Sequence, residues 1–206
     1  MNKSTNSIDI KHFIRNLQHT LMVAEHNYNI YWIYKGAETQ PIYVDSMNHY
    51  IGFFYISMHA HFVACIIALY RLFETRQDSI SFTRLLKVLG PEFFTGLPQD
   101  FGQRLDRSKA IWIKIAILRN NVFGHQNADS SGLDLFQQAR INCDEIKEII
   151  QLSKNLICDI SSKYFGQIFS CDLNFEKNDL NSELDTIRML KDLNILAGKS
   201  NDFKTY

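Results

Sequence analysis

Only three prolines interrupt this chain of 206 residues. Pro41, Pro91 and Pro98 fall where the apolar pattern also lapses, so the stretches between them are free to form long helices. In the first stretch Ile10, Phe13, Ile14, Leu17, Leu21 and Ala24 recur at helical spacing, which predicts a helix from Ile8 to about Lys35 with one buried face. Gly36 and Pro41 should end it. A second long helix is expected from Asp45, read as its cap, to Glu74, followed by a short one that Ser79 or Ser81 starts and Gly90-Pro91 stops. Glu92 to Gln103 reads as a loop with at most one helical turn. A fourth helix from Asp106 carries Ile111, Ile115 and Leu118, and leaves near Gly124 or Asn127. Ser130-Ser131-Gly132 marks a break. A fifth region covers Leu133 to Phe165 with an interruption near Asn142, and a sixth runs from Asn181 to Leu196. No run of alternating strand residues stands out. The expected architecture is all-α: five to six helices in one domain over residues 1–198, with a disordered tail over 199–206.

Hydrophobic residues at 46% and charged residues at 21% suit a soluble globular protein with a proper core. Ile51 to Tyr70 approaches the length of a membrane span, but His59, His61 and Ser57 make it a poor one. Burial in a bundle or dimer is the expectation, with no membrane partner. Cys65, Cys143, Cys158 and Cys171 lack paired spacing and read as reduced core thiols, and the first residues lack the apolar run of a secretory signal. Both point to the cytoplasm.

The 22 basic and 22 acidic side chains cancel, which excludes a global field for a polyanion. Their distribution is uneven. From Phe101 to His125 the cations Arg104, Arg107, Lys109, Lys114 and Arg119 face Asp106 alone, a net +4. From Asn142 to Asp185 nine acids face four lysines, a net −5. Arg104, Arg107, Lys109 and Lys114 are therefore candidate RNA contacts, and the acidic stretch should lie away from RNA. The alternative is that both runs are solvated helix faces.

Within the basic stretch, Arg119-Asn120-Asn121-Val122-Phe123-Gly124-His125 sets a guanidinium, an amide and an imidazole close together. A histidine titrates near neutral pH and moves protons, while an arginine offers fixed charge and a fork of donors to phosphate oxygens. These groups suffice for ribose 2′-hydroxyl attack on a phosphodiester without a metal or cofactor. On an ideal helix Asn120 lies about 100° from Arg119, and His125 about 120° to the other side. Asn120 cannot titrate, so it would orient Arg119, His125 or a phosphate oxygen. Two such helices across a dyad could put an arginine and a histidine from each copy around one phosphate. Taken singly, Arg119 could equally serve the negative end of its helix, and His125 could be a cap or core residue. Trp32, Trp112, Phe93, Phe94 and Phe101 read as packing rather than base-stacking platforms.

The spacing of Arg119, Asn120 and His125 resembles the motif of the HEPN superfamily of helical bundles. Leu69-Tyr70-Arg71-Leu72-Phe73-Glu74, with Ser79-Ile80-Ser81-Phe82 and Leu85-Leu86, looks like its abortive-infection AbiU-like branch. The resemblance covers about Asn48 to Asn127. It implies a homodimer with a composite site, and a metal-independent endoribonuclease of toxin-antitoxin or phage-defence type. Arg119, Asn120 and His125 would be catalytic, tRNA or mRNA the substrate, and an antitoxin protein a candidate partner. Two further readings stand beside it. One is a non-catalytic HEPN module binding RNA, a nucleotide or a protein partner, and the other is a helical scaffold whose dimer interface is its purpose.

Overall fold

The computed structural model describes residues 9–120, 139–166 and 182–199. Among them every regular element is helical: α1 (Ile10–Lys35), α2 (Gln40–His49), α3 (Ile51–Phe73), α4 (Phe82–Leu89), a 3₁₀ turn (Pro91–Phe94), α5 (Phe101–Arg119), α6 (Cys143–Phe165) and α7 (Ser182–Lys199). The all-α expectation holds. The chain forms two compact units, one from Met1–Ala24 and Ile66–Leu173, the other from Glu25–Cys65 and Asn174–Tyr206.

In the first unit, Phe13, Ile14, Leu17 and Leu21 of α1 are buried as their spacing predicts. Leu69, Leu72 and Phe73 at the end of α3 are buried as well, and Phe73 stacks on Phe82 of α4 at 5.0 Å between ring centres. Ser81, one of the two expected caps, starts α4: its hydroxyl accepts the Arg84 amide at 3.4 Å. Gly90 stops it with φ +75°, a conformation side chains disfavour. Helix α5 begins five residues before the expected Asp106. Phe101 and Leu105 are buried one turn apart and extend the stripe of Ile111, Ile115 and Leu118. Helix α6 packs against α5 and starts where the interruption near Asn142 was expected. There Asn142 accepts the Glu145 amide at 2.8 Å, and Glu145 accepts the Asn142 amide at 3.3 Å, a reciprocal capping box.

The second unit is built around Ile30, Ile33, Tyr34, Tyr43, Met47, Phe54 and Leu190. Gly36 ends α1 as expected, where an added Cβ would meet the Trp32 carbonyl oxygen at 2.7 Å. The expected second helix is instead two. Pro41 does not stand in a connection but occupies the first turn of α2, where its missing N–H costs nothing. Asp45 lies inside α2 rather than capping a helix, and the chain turns at Tyr50 (φ −112°, ψ 40°) before α3 begins. Helix α2 packs on α7, where the Ser46 hydroxyl donates to the Asn194 side-chain oxygen and the Asn194 amide donates to the Ile42 carbonyl at 3.0 Å.

Helix α3 is long and apolar enough to cross a membrane by length and composition, and only 28% of its most apolar window is buried. Its second half joins the first unit's core, but Ile51, Phe53, Tyr55 and Ile56 in its first half are 58–70% exposed. Full burial inside one chain, one of the two settings expected for this helix, is therefore met by half of it. Cys65 and Cys143 are free thiols, whereas Cys158 is disulfide-bonded, so the reading of four reduced cysteines fails at Cys158. Residues 200–206 of the expected tail, and the expected break at Ser130-Ser131-Gly132, lie outside the described residues, while Lys199 closes α7.

Candidate functional site

Helix α5 presents Arg119 as its last residue and Asn120 as its cap, both exposed. The Asn120 amide N–H is shared between the Ala116 and Ile117 carbonyls, which keeps the chain helical through the cap. Arg119 donates from Nη1 to the Asn120 side-chain oxygen at 2.9 Å, one of the three roles expected of that amide. Its guanidinium also lies 4.8 Å from the centre of the Tyr70 ring, within cation–π range. On the other partner of that ring, Trp112 stacks at 5.7 Å with an interplanar angle of 27°, and its Nε1 donates to the Tyr70 carbonyl at 2.9 Å. Tyr70 and Trp112 thus steady the guanidinium.

Sequence reasoning gave Trp112 only a packing role and did not assign Tyr70 to the site. Arg119, Trp112 and Tyr70 are brought together by tertiary structure, although seven residues from Trp112 to Arg119 make two helical turns and so share a face. Asn121, Gly124 and His125 lie outside the described residues. The structure therefore gives positions for two of the three expected catalytic residues.

The four expected RNA contacts are all engaged with carboxylates. Arg104 bonds Asp100 at 2.9 Å and Asp159 at 2.7 Å. Arg107 makes a bidentate pair with Glu148 at 2.7 and 2.6 Å. Lys114 pairs with Glu145, and Lys109 more loosely with Asp106 at 3.6 Å. Burial alone would lower the Arg104 pKa, but the hydrogen bonds to Asp159 and Asp100 raise it beyond its ordinary range. The Arg107 hydrogen bond holds the Glu148 carboxyl below its usual range. The basic and acidic stretches, read separately in the sequence, meet along α5 and α6. A phosphate at Arg104, Arg107 or Lys114 would have to displace a carboxylate, whereas Arg119 faces none among the described residues.

His59 is exposed. His61 is half-buried with Nδ1 at 2.8 Å from the Asn27 side-chain oxygen, and burial lowers its pKa. The two point to different sides of α3, as a two-residue offset requires.

Among the described residues the fold is all-helical, with an arginine and an amide closing one helix, six and five residues before a histidine in the sequence. The chain matches the family model described as AbiU2 over residues 8–189 and belongs to that family. No curated protein matches the chain, and no solved structure does. Membership points to a ribonuclease or defence-associated module.

Proposed function

We propose that this protein is a metal-independent endoribonuclease of the toxin-antitoxin or phage-defence kind, acting on tRNA or mRNA as a homodimer in the cytoplasm. The observation that carries the reading is Arg119: exposed, fixed by Tyr70 and Asn120, and without a carboxylate partner among the described residues. The other cations of α5 have acidic neighbours, so among the described residues of α5 Arg119 is the cation whose charge is open to a phosphate. In the reaction one His125 draws the proton from a ribose 2′-hydroxyl, and that oxygen attacks the adjacent phosphorus. Arg119 stabilises the charge on the phosphorane oxygens, as preorganised donors do where charge develops. The 5′ oxygen leaves with a proton from His125 of the second copy, giving a 2′,3′-cyclic phosphate and a 5′-hydroxyl.

The exposed apolar face supports the dimer. Ile42 of α2, Tyr50, and Ile51, Phe53, Tyr55 and Ile56 of α3, all in the second unit, are 42–70% exposed. Large apolar side chains exposed together in this way are of the kind that interfaces cover. The purified chain should cut single-stranded RNA in excess EDTA and leave a cyclic phosphate on the upstream fragment. Cleavage that stops with EDTA, or fragments ending in a 3′-hydroxyl, would remove the mechanism.

The non-catalytic reading, a HEPN module that binds RNA, a nucleotide or a partner such as an antitoxin, has the same exposed face in its favour. It predicts binding without cleavage.

A further inference from the structure

A second polar site lies at the C-terminal end of α3. Asn16 and Thr20 of α1, Arg71 and Glu74, and Arg76, Asp78, Ser79 and Ile80 of the following turn line a cleft of about 400 Å³. Its charges are unequally satisfied. Arg76 grips Asp78 through two hydrogen bonds at 3.2 and 2.8 Å, and Asp78 is held well ionised by them. Arg71 has no polar partner among the described residues, and it is exposed. Glu74 has the opposite problem. Its side chain is only 15% exposed, yet its nearest cation is Arg76 at 3.9 Å, too far for a hydrogen bond.

These two groups define a ligand by what each lacks. The guanidinium calls for anionic oxygens in a planar fork. The carboxylate accepts hydrogen bonds and donates none, so it calls for an O–H or N–H and would repel a bare phosphate. A phosphate with a hydroxyl close to it satisfies both, which is the repeating unit of RNA and not of DNA, because the 2′-hydroxyl is the donor. Position favours a strand over a free nucleotide. Arg71 follows Tyr70 directly on α3, and the Tyr70 ring carries Arg119. Consecutive helical side chains diverge by about 100°, so only a ligand longer than one nucleotide could touch both Arg119 and the cleft.

We propose that this cleft is a subsite for the RNA strand flanking the scissile phosphate, with Arg71 taking a neighbouring phosphate and Glu74 a ribose 2′-hydroxyl. The proposal rests on the ribonuclease reading for its substrate, but its test does not depend on cleavage. Full-length protein carrying His125→Ala is titrated with a fluorescent single-stranded oligoribonucleotide, the matching deoxyoligonucleotide, and a ribonucleoside monophosphate. The added change Arg71→Gln should weaken RNA binding about tenfold and reduce the slope of log affinity on log salt by about 0.7, as for one lost single-strand phosphate contact. Arg71→Lys should recover part of the affinity. Glu74→Met, which removes the acceptor, should bring the RNA-to-DNA affinity ratio towards one. Because Arg71 is exposed, its variants should melt with the parent. Unchanged RNA affinity in Arg71→Gln, or a monophosphate that binds as tightly as the strand, would overturn the subsite. If the wild-type chain cuts no RNA while the Arg71 and Glu74 effects hold, the nuclease reading fails and the cleft stands as an RNA-binding site alone.

Discussion

Replacing Arg104 with methionine separates the two roles open to the cations of α5. The Arg104 side chain is 16% exposed and its partner Asp159 23%, so this pair lies between the surface and buried limits. Exposed pairs contribute ~1 kcal/mol or less, whereas removing one member of a buried pair costs about 3–5 kcal/mol, because the other charge is left unmatched. Asp159 keeps some water, which puts the expected loss near 2 kcal/mol. For a chain of this size that lowers Tm by about 4–8 °C. Circular dichroism melts of Arg104→Met, Asp159→Leu and the double variant measure the coupling. The double variant should regain most of the loss, since no buried charge is left orphaned and Asp100, 60% exposed, keeps its water. RNA affinity at fixed salt is measured on the same proteins. An Arg104→Met protein that melts with wild type but binds RNA about tenfold more weakly would refute the structural role and restore Arg104 as a phosphate contact.

Tyr70→Leu removes the ring beneath Arg119, and a cation–π contribution of ~0.5–1 kcal/mol translates to a kcat for RNA cleavage about two- to fivefold lower, with Tyr70→Phe near wild type. Equal losses in both variants would assign the effect to the hydroxyl instead. Glu148 has its folded pKa depressed by Arg107, so its contribution is present above its ordinary value of 4.5 and is lost as pH falls through the lower folded value. Arg107→Gln should therefore lower stability slightly at neutral pH and leave it unchanged at low pH, which flattens the acid limb in denaturant titrations. An unaltered acid limb would show that the pair adds nothing in solution. Ile56→Glu, on the exposed face of α3, should yield a folded monomer in sedimentation at micromolar concentration and abolish cleavage. A stable dimer in that variant would place the interface elsewhere.

Much of the fold was legible because helices announce themselves locally. The stripe from Phe13 to Ala24, the Ser81 cap, the Gly90 stop and the capping box of Asn142 and Glu145 are all decided within a few residues. The turn at Tyr50 was not legible, since Gly52 falls inside the first turn of α3 rather than at the break and no proline marks it. It serves the core that Tyr43, Met47 and Phe54 share with Leu190, far away in the sequence. The early start of α5 was hidden because Phe101 sits among Gly, Pro and Phe residues that read as a loop. In the site, the arginine and its amide were visible from their spacing, but Tyr70 joins Arg119 only through the packing of α3 and α5. The opposite signs of the two charge runs were a signal for their pairing, but a run of charge does not say which partner lies across from it. Arg104, Arg107 and Lys114 look the same in sequence whether they face RNA or α6.

The central claim is that Arg119 and His125 form a ribonuclease centre, and single-turnover cleavage by wild type and His125→Ala, with melts of both, tests it most directly. Removing an acid–base group should cost at least ~10²-fold in rate while leaving Tm and oligomeric state unchanged. A folded His125→Ala protein that cuts RNA at the wild-type rate would contradict the claim.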